Sequence, residues 1–326
     1  MPLQLTLPMN LNTAALHHSD KGSISVLFAI AILPMLAIAA VVADVGMVHA
    51  KRQELQTGVE ASAIAGAAKL AIGSPACGGY AENISANLTS LSPLSTQCSI
   101  SGTANNVLTI SAETSTPLAF SQLLGKTEAS ISSTASVKVG ASRSAIGLRP
   151  LAICADHPAL QEWLSTGMTS ATTYTIFIES DGASCSGSVP GNWSMIDFDG
   201  GSNSNSELQD RIVNGYQTEI VLPVTLNGDP GIPTPSVDID LLIGDTITIP
   251  VFSAARSNGA GSEYDLDGIV AIEVVDVVMT GAAAQRHVDV RFVKQTLGEG
   301  LAGGPVGNYG SQSFQICSLE GKGNCS

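Results

Sequence analysis

Cys154 and His157 stand three positions apart, a spacing at which an imidazole could draw the proton from a thiol and leave a nucleophile. Asp156 and Pro158 flank that histidine, however, and an acidic residue followed by proline reads as the start of a helix. A structural role for both residues is the stronger reading. The other histidines offer less: His17 and His18 are adjacent in a polar N-terminal tail, His49 falls in a helical pattern and His287 in an alternating one. Asp238, Asp240 and Asp245, with Glu263, Asp265 and Asp267, could supply oxygen ligands to Ca²⁺. Asp265-x-Asp267-Gly268 is only a fragment of a calcium loop, and a solvated acidic loop is the plainer alternative. Asp181, Ser184 and Ser186 carry the residue types of an Asp-x-Ser-x-Ser metal motif, but the serines fall one place too late. There is no GxSxG, no Walker loop, no HExxH and no GxGxxG after a strand. The expectation is therefore a protein that is not an enzyme, with no cofactor, no bound metal and no evident small-molecule substrate.

Six cysteines remain: Cys77, Cys98, Cys154, Cys185, Cys317 and Cys325. None forms a CxxC pair and no histidine lies at metal-ligand spacing, so disulfides in an oxidising compartment are the favoured reading, with buried free thiols as the alternative. The residues fall into sequence-local pairs (77–98, 154–185, 317–325), but six cysteines admit fifteen connectivities and sequence alone does not choose among them.

What must hold these residues is an N-terminal apolar run. Ile24 to Ala43 contains no charge; Ser25 and Pro34 are its only non-apolar interruptions, and Leu27, Phe28, Leu36 and Val41 are among its larger side chains. As a helix it would be about 30 Å long, the thickness of a bilayer hydrocarbon core. A buried core helix and a cleaved signal peptide, with Ala37-Ile38-Ala39 as its small-residue site, are the competing readings. Against cleavage, helical spacing continues without a break. Val45, Val48, Leu55, Val59, Ile64, Ala67 and Leu70 recur on one face, with Lys51, Arg52, Glu54, Gln56 and Glu60 on another, as far as Gly73-Ser74-Pro75. Ala61, Ala63, Ala65, Ala67 and Ala68 make the second half rich in small residues, which allow another backbone to come close.

Residues 22–70 resemble the N-terminal module of the TadE/TadG-like proteins of the Flp (tight adherence) pilus-assembly system. The features shared are Gly22 before the span, Pro34 inside it, Asp44-x-Gly46 at its outer end, Lys51 with Arg52, and the Ala-rich stretch behind them. The resemblance implies a membrane-anchored accessory or minor-pilin-like subunit that acts through contacts with other pilus or secretion-machine subunits. It also implies a single pass, with the C-terminal domain outside the cytoplasm. One departure stands out. A prepilin-peptidase site would want glutamate five residues after Gly22, and Leu27 occupies that place. Lys21 flanks one end of the span and Lys51 with Arg52 the other, a count that slightly favours the opposite orientation. Large domains translocate largely regardless of charge, and the cysteines agree with the resemblance. An anchored binding or adhesin domain is the alternative function.

Composition bounds the remainder. The net charge is −14 with 14 basic residues in 326, and there is no basic patch with interleaved aromatics, so nucleic acid is a poor partner. Low aromatic content with abundant Gly, Ser, Thr, Ala and Val points to a β-rich extracytoplasmic region. The expected fold class is α+β: a long transmembrane and amphipathic helix followed by β structure. The expected organisation is a tail at 1–22, the helix at 23–73, a small α+β unit at 77–140, a β-rich domain at 145–300 and a Gly-rich tail at 301–326. Within these, the alternation of Asn106–Thr114, Thr127–Val139 and His287–Val293, the β-branched run Leu266–Met279 and the stretches Thr172–Glu179, Glu219–Leu226 and Asp245–Phe252 predict strands, and Leu266–Met279 with His287–Val293 could form a hairpin. Pro117–Leu124 reads as a short helix stopped by Gly125, and Ser206–Val213 as another capped by Ser206.

Overall fold

The computed structural model describes residues 21–79, 83, 87, 89–91, 94–177, 194–201, 204–229, 239–256, 262–282 and 285–319. It is an α+β protein: one long N-terminal helix precedes fourteen strands among the described residues. Two compact units divide the chain. The first holds residues 1–50 and 116–129, the second residues 51–115 and 130–326.

Helix α1 runs unbroken from Lys21 to Ala71. Pro34 lies inside it, where it removes one backbone donor, a loss that apolar membrane helices tolerate. Within the first unit the helix carries its apolar side chains outward on all sides. Leu27, Phe28, Leu33 and Leu36 are each more than three-fifths exposed, as are Met35 and Ile38. The unit's other part is the connection between β2 (Val107–Pro117) and β3 (Glu128–Ala141). There a 3-10 helix, Ser121–Leu124, ends at Gly125, whose φ of 78° lies in the left-handed region that glycine enters freely. The expected stop is therefore in place. Pro117 closes β2, and the helical turn begins later than the sequence pattern suggests.

In the second unit the rest of α1 reverses its character. Leu55, Val59, Ala63, Ala67 and Ala71 are buried, as are Gly58, Ser62 and Gly66. That spacing is one continuous stripe on a helix of 3.6 residues per turn. Its inward face is lined by small residues and packs within the chain. Ala61, Ala65 and Ala68 are only partly covered. Ser62 disposes of its buried hydroxyl by donating to the carbonyl of Gly58 at 2.6 Å.

Two sheets dominate this unit. One has the order β1-β2-β3-β14-β13, where β1 is Leu94–Ser101, β13 Gln295–Glu299 and β14 Ser311–Leu319. The C-terminal stretch expected as a Gly-rich tail thus supplies β14, which pairs antiparallel with β3 from Gln312↔Ala141 to Leu319↔Ala135. Ser142 and Ser313 share a buried hydrogen bond of 2.7 Å at the start of that pairing.

The other sheet has the order β10-β5-β7-β9-β11-β12-β6. Its strands are β5 (Leu151–Cys154), β6 (Tyr174–Phe177), β7 (Ser194–Asp197), β9 (Val224–Asp229), β10 (Thr246–Arg256), β11 (Glu263–Val278) and β12 (His287–Val293). β10 also pairs with β11 along Thr246↔Glu273 to Arg256↔Glu263, so β10, β5, β7, β9 and β11 close a five-stranded ring. β11 spans both parts: its first residues pair with β9 and its later ones with β12 in the expected hairpin. Closure removes free edges, which are the parts of a sheet open to mispairing.

Burial on both strand faces follows from this arrangement. Ala152, Cys154, Ile196, Phe198, Phe252, Tyr264 and Leu266 pack as one cluster. Their alternating neighbours Leu151, Ile153, Ile249, Val251, Val270 and Ile272 pack with α2 (Pro158–Ser165) and α3 (Asn205–Asn214) through Leu160, Trp163, Leu208 and Ile212. The cap of α3 is Ser204 rather than Ser206. The Ser204 hydroxyl accepts the N–H of Glu207, the spacing of a capping box.

Candidate functional site

The residues that set this chain apart lie where the apolar run ends. Asp44 follows Ala43 directly and is 2 % exposed. Its carboxylate accepts the N–H of Ala119 at 3.0 Å and of Phe120 at 3.1 Å. It also accepts the N–H of Ser121 at 2.6 Å and the Ser121 hydroxyl at 2.7 Å. Those donors open the Ser121–Leu124 helix, whose own N-cap, Phe120, has no side chain able to receive them. Asp44 therefore acts as a cap supplied from α1, and it fastens the β2–β3 connection to the helix at the boundary of the apolar run. Beside it, Phe120 is 48 % exposed. An open apolar groove runs between Phe120 and the side chains of Leu33, Leu36, Ala37, Ala40 and Ala43.

The other motif positions are distributed differently. Gly46 is exposed on the helix, and a Cβ there would meet nothing within 4 Å. Lys51, in the second unit, pairs with Glu54 at 3.0 Å, and Glu54 accepts both the N–H and the hydroxyl of Ser90 at 2.6 Å. This fastens the amphipathic half of α1 to the segment before β1. Arg52 is exposed. Gly22 and Ile24 lie in the backbone of α1; Leu27, Phe28 and Leu36 are well exposed on it, and Val41 less so.

Cys77 and Cys98 form a disulfide with Cα atoms 5.6 Å apart, joining the turn segment after α1 to β1. Cys154 and Cys317 are disulfide-bonded too, and Cys185 and Cys325 lie outside the described residues. A bonded Cys154 has no thiol to activate, which removes the Cys154/His157 nucleophile. His157 instead caps α2, its Nδ1 accepting the N–H of Ala159 at 3.2 Å. His287 holds Nδ1 2.7 Å from the carbonyl of Gln285 and packs against Phe177. His17, His18, Asp181, Ser184, Ser186 and Asp238 lie outside the described residues.

The acidic group does not converge. Asp265 receives Arg256 at 2.5 Å and Thr225 at 2.6 Å, whereas Asp267 faces the Tyr309 hydroxyl at 3.5 Å. Among the described residues no three His, Cys, Asp or Glu side chains are placed to hold a metal ion. Burial pushes the Asp267 carboxyl up. Burial, then the charge of Asp267, raises the Tyr309 hydroxyl to about 12.

One charged cluster had no signal in the sequence. Arg211 of α3, with its side chain 7 % exposed, reaches Asp197 at 3.7 Å, Asp199 at 2.5 Å and Glu207. Asp197 in turn accepts the N–H groups of Asp199 and Gly200. The cluster is structural: it ties α3 to the end of β7.

The arrangement defines a class: an α+β protein with, among the described residues, one N-terminal helix long and apolar enough, by length and composition, to cross a membrane. Residues 22–69 match the model of the Flp pilus-assembly TadE/G-like family. No curated protein and no solved structure matches the chain. Helix and family match together fit a membrane-anchored pilus-assembly protein.

Proposed function

We propose that this protein is a single-pass accessory or minor structural subunit of a Flp-type pilus-assembly machine, acting through protein–protein contacts rather than catalysis. The family match over the anchor and its continuation is the observation that carries this reading. Ile24 to Ala43 holds the chain in the bilayer, and the buried face of residues 55–71 joins the anchor helix to the β-rich region. The Cys77–Cys98 bond supports an extracytoplasmic location for that region, because disulfides persist in oxidising compartments. We assign the four other cysteines to the same chemistry.

Affinity capture of the full chain from detergent-extracted membranes of its own host tests the function. Co-recovery of pilus-machine subunits is the expected result. Recovery of a surface ligand alone would favour an anchored adhesin domain instead. Protease added to intact spheroplasts should digest the β-rich region while a cytoplasmic marker survives; protection of that region would reverse the orientation.

A further inference from the structure

The loop clipped by Asp44 places an exposed aromatic ring beside the span, at a groove lined by apolar side chains. The groove beside Phe120 is walled by α1 residues that all precede Asp44 in the chain, so the ring leans toward the apolar half of the helix and away from its charged continuation. From Leu36 to Asp44 is about 12 Å along a helix axis. The Leu33 and Leu36 side chains facing the groove are 68 % and 61 % exposed. They belong to the same uncharged twenty-residue surface that the bilayer covers if α1 is a membrane anchor.

We propose that the β2–β3 connection is a second lipid-contacting element, with Phe120 inserted among the acyl chains at the outer boundary of the bilayer. The inference rests on the membrane-anchor reading. The occupant of the groove is lipid because the groove is continuous with the lipid-facing surface of the span and walled by its side chains. A phenyl ring, apolar throughout, suits the acyl side of the headgroup boundary. Asp44 has a definite part. A carboxylate at the edge of the hydrocarbon loses water, and four donors from Ala119, Phe120 and Ser121 replace it. The same bonds fix how deep Phe120 can sit.

Tryptophan fluorescence of the full chain in phosphatidylcholine–phosphatidylglycerol vesicles tests this. The vesicles carry nitroxide labels at either a shallow or a deep acyl position. Phe120→Trp is read as the difference from the unsubstituted protein, and Leu36→Trp serves as the control for the anchor. Insertion about 5–10 Å into the headgroup–acyl boundary predicts a roughly twofold loss of the Phe120→Trp signal with the shallow label, less with the deep one, and none with aqueous iodide. If Leu36→Trp is quenched by lipid labels while Phe120→Trp responds to iodide, the anchor stands and the proposal fails. If Phe120→Trp is shielded from lipid labels and iodide alike, a protein covers the groove and the proposal also fails. If Leu36→Trp meets no lipid label, the anchor reading falls and takes the proposal with it. Asp44→Ala should abolish the preference for the shallow label; an unchanged depth profile would show that Asp44 does not set the position.

Discussion

Replacing Arg211 with methionine isolates what a buried cation contributes to the β-rich unit. Methionine keeps most of the aliphatic volume beside Tyr216, whose ring lies 5.7 Å from the guanidinium carbon. The change removes the contacts to Asp197, Asp199 and Glu207 together. Asp199 and Glu207, with side chains 40 % and 36 % exposed, recover water at little cost. Asp197, 8 % exposed, does not. Stranding one charge of a buried pair typically costs about 3–5 kcal/mol. Asp197 retains the N–H groups of Asp199 and Gly200, so the lower end, about 3 kcal/mol, applies. For a domain of this size that is a fall in Tm of about 6–12 °C. Thermal unfolding of the full chain in detergent, followed by near-ultraviolet circular dichroism, reads it directly. Asp197→Asn should recover part of the loss in the Arg211→Met background, because the stranded charge is gone. Coupling of at least about 1 kcal/mol in the double-mutant cycle is expected. A fall of less than about 2 °C, or strictly additive effects, would refute the view that a desolvated Asp197 makes Arg211 necessary.

Three further outcomes follow from local geometry. Tyr309 is neutral in the fold, and its folded pKa is raised to about 12 from an unfolded value near 10; its contribution is intact below pH 10 and lost as pH rises from about 10 to 12, so the alkaline fall in Tm should be shallower in Tyr309→Phe. Equal slopes for the two proteins would contradict the assignment. Gly46→Ala adds a side chain where nothing stands within 4 Å and should stabilise α1 by roughly 0.5–1 kcal/mol. If pilus assembly is lost while Tm is unchanged or higher, Gly46 faces a partner; a lower Tm would mean that the chain itself needs the glycine. Replacing Cys77 and Cys98 with serine opens a loop of sequence separation 21 and should cost about 3 kcal/mol, measured by urea unfolding against the oxidised protein.

The parts of this fold legible in the sequence are those set by near neighbours. The span of α1, the β11–β12 hairpin, the full extent of β12 and the stop at Gly125 all follow from periodicity or from one permissive residue. β1 was hard to read: Leu94, Thr96, Cys98 and Ile100 do alternate with Ser95, Gln97, Ser99 and Ser101, but only Leu94 and Ile100 are large apolar side chains and no residue of the strand is fully buried. The closure of the ring was not legible, since it depends on β10 meeting strands at both of its edges. Gly300, Gly303 and Gly304 concealed the final strand, since a Gly-rich approach reads as loose chain. At the candidate site, Asp44 stood out by its position at the end of the apolar run, but its role did not. Its partners are mostly backbone N–H groups at positions 119–121, and backbone donors leave no mark in residue type. The inward stripe of α1 is legible at Leu55, Val59, Ala63 and Ala67, whereas Ala61, Ala65 and Ala68 are only partly covered and Gly58, Ser62 and Gly66 carry no apolar side chain to mark them.

Ser142 and Ser313, hydrogen-bonded at the edge where β14 joins β3, are 171 positions apart. A ribosome adding about 5–20 residues per second needs on the order of 10–30 s to travel between them. Throughout that interval β3 has one unsatisfied edge, rich in serine, threonine and valine. The nascent chain therefore waits, unfinished, until Ser311–Leu319 has been made, and any neighbouring strand of suitable register could take the place reserved for β14.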